Sequence, residues 1–285
     1  MRELAGLSRL AGDYDVLFCD IWGVIHDGAH AFAPACEALA RWRETVGPVI
    51  LISNSPRPYE GVAAQLDQLG APRDAWTGIV TSGDASRALL AERSPGPVYR
   101  IGPRRDDPLF EGLGLVFADL ESAAFIACSG PNDDEVETPE DYRPLLTRAA
   151  ARKLPMICAN PDILVQRGPR LIYCAGALAQ LYEDLGGEVL TAGKPHAPIY
   201  AMARDAADLG LGRPADDQRI LVIGDGLATD IVGANRERLD ALFIGSGIHG
   251  AELVDHAGRL DLAAAASLLE EKGLAASWAM SRLAW

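Results

Sequence analysis

Val16-Leu-Phe-Cys-Asp-Ile-Trp-Gly-Val-Ile-His-Asp27 is the stretch that decides how the chain is read. Four apolar residues run without alternation into Asp20, and the chain then turns through Gly23 towards His26 and Asp27. A strand buried on both faces reads as such an unbroken run, and the residue that ends it lies where open α/β sheets collect ligands. The pattern returns in Val49–Ser53, Gly78–Ser82, Val98–Gly102, Ala124–Cys128, Pro155–Ala159, Arg219–Gly224 and Ala241–Gly245. Helical patterns such as Ala33–Arg43, Glu60–Leu69, Ala85–Glu92, Tyr142–Arg152 and Gly176–Leu185 separate these runs, with the alanine- and leucine-rich Leu260–Leu269 near the end. Strands alternating with helices predict an α/β fold on a parallel sheet.

Composition narrows the classes. The 285 residues are 49% hydrophobic and 23% charged, a globular balance with room for one large domain or two ordinary ones. Disordered, collagenous and disulfide-scaffold chains are excluded. With 26 basic and 40 acidic side chains the formal charge is −14, which argues against nucleic acid as a partner. No run of 18 apolar residues escapes interruption by charge, so no membrane span is expected. Cysteines 19, 36, 128, 158 and 174 form no CxxC and no zinc spacing. An odd number inside apolar runs predicts buried free thiols, and with no signal-like segment in residues 1–10 the expected location is cytoplasmic.

The polar residues at strand ends carry the chemistry. Asp20 ends one strand and Ser53-Asn54-Ser55 another; Ala192-Gly-Lys-Pro-His196 and Gly224-Asp-Gly-Leu-Ala-Thr-Asp230 follow later. Carboxylates from different strands can hold Mg²⁺ in oxygen coordination, with water and a substrate phosphate completing the shell. An aspartate can attack phosphorus directly, while a hydroxyl, backbone N–H groups and a lysine stabilise the phosphoryl oxygens. The set suits phosphoryl transfer.

These ordered motifs resemble the haloacid dehalogenase superfamily, and their spacing resembles its class IIA, the NagD and 4-nitrophenylphosphatase-like group. The likeness runs from about Asp15 to Gly247. It implies a three-layer Rossmann-like α/β core with a parallel sheet, formed by residues 1–87 and 183–285, and an inserted α/β cap domain of the C2 type at 88–182. By that resemblance Asp20 is the nucleophile and a Mg²⁺ ligand, and the backbone carbonyl of Trp22 is a second ligand. Ser53 and Asn54 would bind the phosphoryl group, and Lys194 would neutralise it and orient Asp20. Asp225 would hold Mg²⁺ with Asp230 in support. Asn160 and Asp162 resemble the class IIA substrate loop, though an Asx-type turn is an equal reading of that segment. The implied activity is Mg²⁺-dependent hydrolysis of a small phosphate monoester through an aspartyl-phosphate, and chains of this class often form homodimers through the cap.

One position departs from the family. Phosphatases of this kind place a second aspartate two residues after the nucleophile, as acid and then base; here that residue is Trp22. An indole N–H cannot take a proton from water. His26 or Asp27 would then have to substitute, or the protein would be a phosphate-ligand binder or regulator with little turnover. Two other segments have plainer readings. Thr138 and Pro139 in the acidic run 133–141 predict a helix start. Gly245-Ser-Gly-Ile-His-Gly250 matches a dinucleotide fingerprint in form, but helix-like sequence follows where a second strand is needed.

Overall fold

The computed structural model describes residues 1–167 and 170–285. In chain order its strands are β1 (Arg2–Glu3), β2 (Val16–Asp20), β3 (Val49–Ser53), β4 (Gly78–Thr81), β5 (Val98–Ile101), β6 (Phe125–Cys128) and β7 (Met156–Cys158). Then come β8 (Leu164–Arg167), β9 (Arg170–Tyr173), β10 (Val189–Thr191), β11 (Ile220–Gly224), β12 (Asp240–Ile244) and β13 (Trp278–Met280). Seven of them form one parallel sheet in the order β1-β13-β12-β11-β2-β3-β4. From β2 the chain builds outward through β3 and β4, then returns to β11 on β2's other side and builds the opposite way. Strand order therefore reverses between β2 and β11, and a crevice opens beyond their carboxyl ends.

Helices cover both faces of this sheet. The first residues of β2 show why its sequence is continuously apolar: Leu17 and Cys19 face one cluster, Val16 and Phe18 the other. The first cluster is completed by α1 (Ala33–Thr45) and α2 (Tyr59–Gln68), through Leu39, Trp42, Val62 and Leu66. The second takes Ile199, Tyr200 and Ala203 of a helix spanning Ala197–Leu211, with Ala265 and Leu269 of one spanning Leu262–Glu271. Three layers result. The helix at Ala197–Leu211 carries ordinary sequence signals, a proline in its first turn and a left-handed Gly212 after its last.

A second parallel sheet has the order β10-β7-β6-β5. One face packs on helices Arg143–Ala151 and Ala175–Asp184 through Leu146, Ala149, Leu178 and Tyr182. The other face holds a smaller cluster with Leu109 and Phe110. Strand β10 pairs with β7, Val189 opposite Met156 and Thr191 opposite Cys158, so the second sheet reaches beyond residue 182. The antiparallel pair β8–β9 stands apart from both sheets. Thr138 and Pro139 do open a helical turn, and the Asp141 carboxylate accepts from the Thr138 N–H (2.8 Å) and hydroxyl (2.9 Å).

Candidate active site

Asp20 is the last residue of β2, and Asp225 follows the last residue of β11, so the strand-order reversal brings their carboxylates together. Asp230 joins them from the turn after β11; ligand oxygens of the three lie within 4.8 Å of one another. Lys194, 3% exposed, follows β10 and reaches both sides: its Nζ donates to Asp20 Oδ1 (2.5 Å) and Asp230 Oδ1 (2.7 Å). The remaining Asp230 oxygen accepts from the Gly226 N–H (3.0 Å), and Asp225 Oδ2 accepts from the Ile248 N–H (2.7 Å). Among the described residues nothing donates to Asp20 Oδ2 or Asp225 Oδ1.

Three buried carboxylates thus face one ammonium group. Burial, with the Asp230 carboxylate next, pushes Asp20 well above the usual carboxylate range and Asp225 up to about 7. Burial opposes the charge on Lys194, but Asp20, Asp230 and Asp162 outweigh it and hold its ammonium form. A hard dication suits this set: oxygen donors only, excess negative charge, and free oxygens on two of the carboxylates.

Close glycines make the approach possible. Gly23 has φ +83°, and a Cβ there would stand 2.3 Å from Asp225 Oδ2. The glycine-rich run after β12 has the same use. A Cβ on Gly247 would meet Asp225 Oδ2 at 1.8 Å, so this loop packs on the carboxylate centre through Ile248.

Asn54, at the end of β3, ties the site together. Its side chain accepts from the Lys194 N–H (2.8 Å) and donates to the Lys194 carbonyl (3.1 Å) and to Asp162 Oδ1 (2.8 Å). Ser53 Oγ accepts from the Ser55 N–H (3.1 Å) and faces the same cavity, whose volume is about 390 Å³. Asn160 and Asp162 also line it, and Asn160 Oδ1 accepts from the Asp162 N–H (3.1 Å), so the Asx turn is formed as well. All nine residues singled out in the sequence therefore border one cavity.

Trp22 lies half-buried in the wall, its ring 4.8 Å from that of His26 and close over Gly28. His26 is 1% exposed; its Nδ1 accepts from the Gly28 N–H (2.9 Å), and burial lowers its pKa to about 4. It is neutral at physiological pH. Burial works against the Asp27 charge, yet the N–H groups of His30 and Ala29 prevail and hold its carboxyl below the ordinary value. Sequence reasoning passed over Arg57 and Arg105, which also line the cavity. Arg57 follows Ser53 by four positions, but only the folded loop shows where it points.

A parallel α/β core with an acidic centre at its reversal point, facing a second α/β sheet, defines a core-and-cap protein. Family models described as haloacid dehalogenase-like hydrolase and HAD-hydrolase-like match residues 17–116 and 191–270. A solved hydrolase of the haloacid dehalogenase-like family from Brucella suis 1330 is 47% identical, covering 99% of this chain and 100% of that one at a TM-score of 0.87. The chain belongs to the haloacid dehalogenase-like hydrolase family, in its class IIA. A 5'-nucleotidase, YutF, from Bacillus subtilis is 26% identical over 239 residues, spanning 82% of this chain and 88% of its own length. A D-glycerol 3-phosphate phosphatase from Mycobacterium tuberculosis is 26% identical over 268 residues, spanning 86% and 67%. A glycerol phosphate phosphatase of that organism, solved in complex with magnesium, shares the fold at a TM-score of 0.63 and 24% identity, covering 84% of this chain and 70% of its own.

Proposed function

We propose that the protein is a Mg²⁺-dependent phosphatase of a small phosphate monoester, with Asp20 as nucleophile. The observation that carries the reading is the buried Asp20–Lys194–Asp230 chain beside Asp225 at the cavity wall. An Asp20 carboxylate oxygen would form the bond to phosphorus as the ester oxygen leaves, and water would then cleave the acyl-phosphate. Lys194 aims Asp20 and opposes the burial that disfavours its carboxylate, while Ser53 and Asn54 border the space for the phosphoryl oxygens. Asp20, Asp225 and the Trp22 carbonyl would hold the ion, with Asp230 in support through Lys194 and the Gly226 N–H. Bound there, Mg²⁺ would offset the crowded charge and polarise the phosphoryl group. The relatives named as a nucleotidase and a glycerol phosphate phosphatase support this class of substrate.

The inserted cap is read as extending from about residue 88 to Thr191, because β10 pairs within the second sheet. Pairing of two chains through the cap belongs to the same reading, supported by the exposed Leu171 and Tyr173 of β9. The five free cysteines support a reducing, cytoplasmic location.

Phosphate release from a panel of esters, with and without Mg²⁺, tests the proposal beside Asp20→Asn. Release that needs the ion and falls at least about a thousand-fold in the variant is expected. Persistent release in Asp20→Asn would refute the nucleophile. A second reading is favoured by Trp22 together with a neutral His26: a ligand binder that turns over slowly for want of an acid and base.

A further inference from the structure

The cavity carries a cation that the phosphoryl chemistry does not use. Arg57, from the loop after β3, is half-buried and lines the cavity. Its guanidinium donates to the neutral amide oxygen of Gln65, and among the described residues no carboxylate pairs with it within 4.0 Å. Two further guanidiniums on the cavity wall, Arg105 and Arg167, lie near enough to act on its charge. They come from the second-sheet side and share one carboxylate, Asp134, at 2.5 and 2.8 Å, with Glu135 also 2.9 Å from Arg167. Asp106 acts on Arg57 through space without forming an ion pair.

A half-buried guanidinium with no carboxylate in ion-pair contact is costly unless a ligand supplies one. Its planar fork suits a carboxylate or phosphate, which it can hold through two parallel hydrogen bonds. Arg57 is only four residues beyond Ser53, and the cavity of about 390 Å³ has the size for a small metabolite. We propose that Arg57, aided by Arg105 and Arg167, forms a second anion subsite. The preferred substrate is then a small phosphate monoester with a further anionic group, a carboxylate or a second phosphate. This inference rests on the phosphatase reading above and adds the class of leaving group.

The test uses pairs that differ only in that group: 3-phosphoglycerate against glycerol 3-phosphate, and fructose 1,6-bisphosphate against fructose 6-phosphate. In the wild-type protein kcat/KM is expected to favour the anionic member of at least one pair by tenfold or more. The pair that shows it tells which anion is taken. Arg57→Gln should collapse that ratio at least tenfold, mainly through KM, with Arg57→Lys recovering part of it. Arg105→Gln, on the other side of the cavity, should lower the ratio as well. No preference in either pair overturns the subsite. So does an Arg57→Gln variant in which both members fall equally, since a core-to-cap strut would act on every substrate alike. If no ester is hydrolysed, the phosphatase reading fails by itself. Titration calorimetry of 3-phosphoglycerate and glycerol 3-phosphate in Mg²⁺ then judges the subsite, by the same tenfold criterion for wild type and Arg57→Gln.

Discussion

On the proposed mechanism, Trp22 and His26 govern the proton chemistry of the site. Trp22 stands where an acid and base would serve turnover, and that service is typically worth about 10²–10⁴-fold. Trp22→Asp is therefore expected to raise kcat by about tenfold or more for esters with poor leaving groups; no gain would show that Trp22 is not what limits the site. His26 makes a separate prediction. Its pKa of about 4 in the folded chain lies below the ordinary 6.5, so between those values the unfolded chain binds more protons. Stability must rise with pH across that window, and up to about 3 kcal/mol present at pH 7 is lost by pH 4. Urea midpoints at pH 5 and 7.5 check this. His26→Gln should flatten the difference, and an unchanged pH dependence in the variant would exclude His26 as its source.

At the level of elements, the segment from β10 to Lys194 is held by a contact with no spare room. A Cβ on Gly193 would stand 2.4 Å from Ser82 Oγ and 2.7 Å from Asn54 Oδ1. Asn54 in turn fixes both the N–H and the carbonyl of Lys194. An added methyl group must move that backbone, and with it the ammonium group that bridges Asp20 and Asp230. Gly193→Ala should lose about 1–3 kcal/mol of stability and about 100-fold in kcat. Thermal unfolding and steady-state rates measure the two losses. Activity within twofold of wild type would mean that the strand end tolerates the shift.

The whole molecule buries every cysteine, and burial raises the thiol pKa of all five, Cys128 to about 12. Thiolate is the reactive form, so a disulfide reagent should find no fast-reacting thiol in the native protein and five after denaturation. One fast thiol in native conditions would reveal an opening of the core or the cap. The same scale explains the link between the two sheets. The Asn54 side chain joins the end of β3 to Asp162 across the cavity, so the two sides of the cavity share one hydrogen-bonded residue.

The long two-faced strands and the order of polar residues at their ends were legible in the sequence, because a strand buried on both faces has no polar face to spare. Val16–Asp20 and Val49–Ser53 needed no tertiary information, and their final residues named two corners of the site. The short strands Arg2–Glu3, Val189–Thr191 and Trp278–Met280 did not declare themselves. Runs of two or three residues become strands only when a neighbour supplies the hydrogen bonds, as β7 does for β10 and β12 for β13. Asp225, Asp230 and Lys194 could be named from their order but not placed. Their mutual distances, the neutrality of His26 and the Arg57 guanidinium, which meets Gln65 but no carboxylate among the described residues, exist only in the packed chain, where burial and neighbouring charge act through space and not along the sequence.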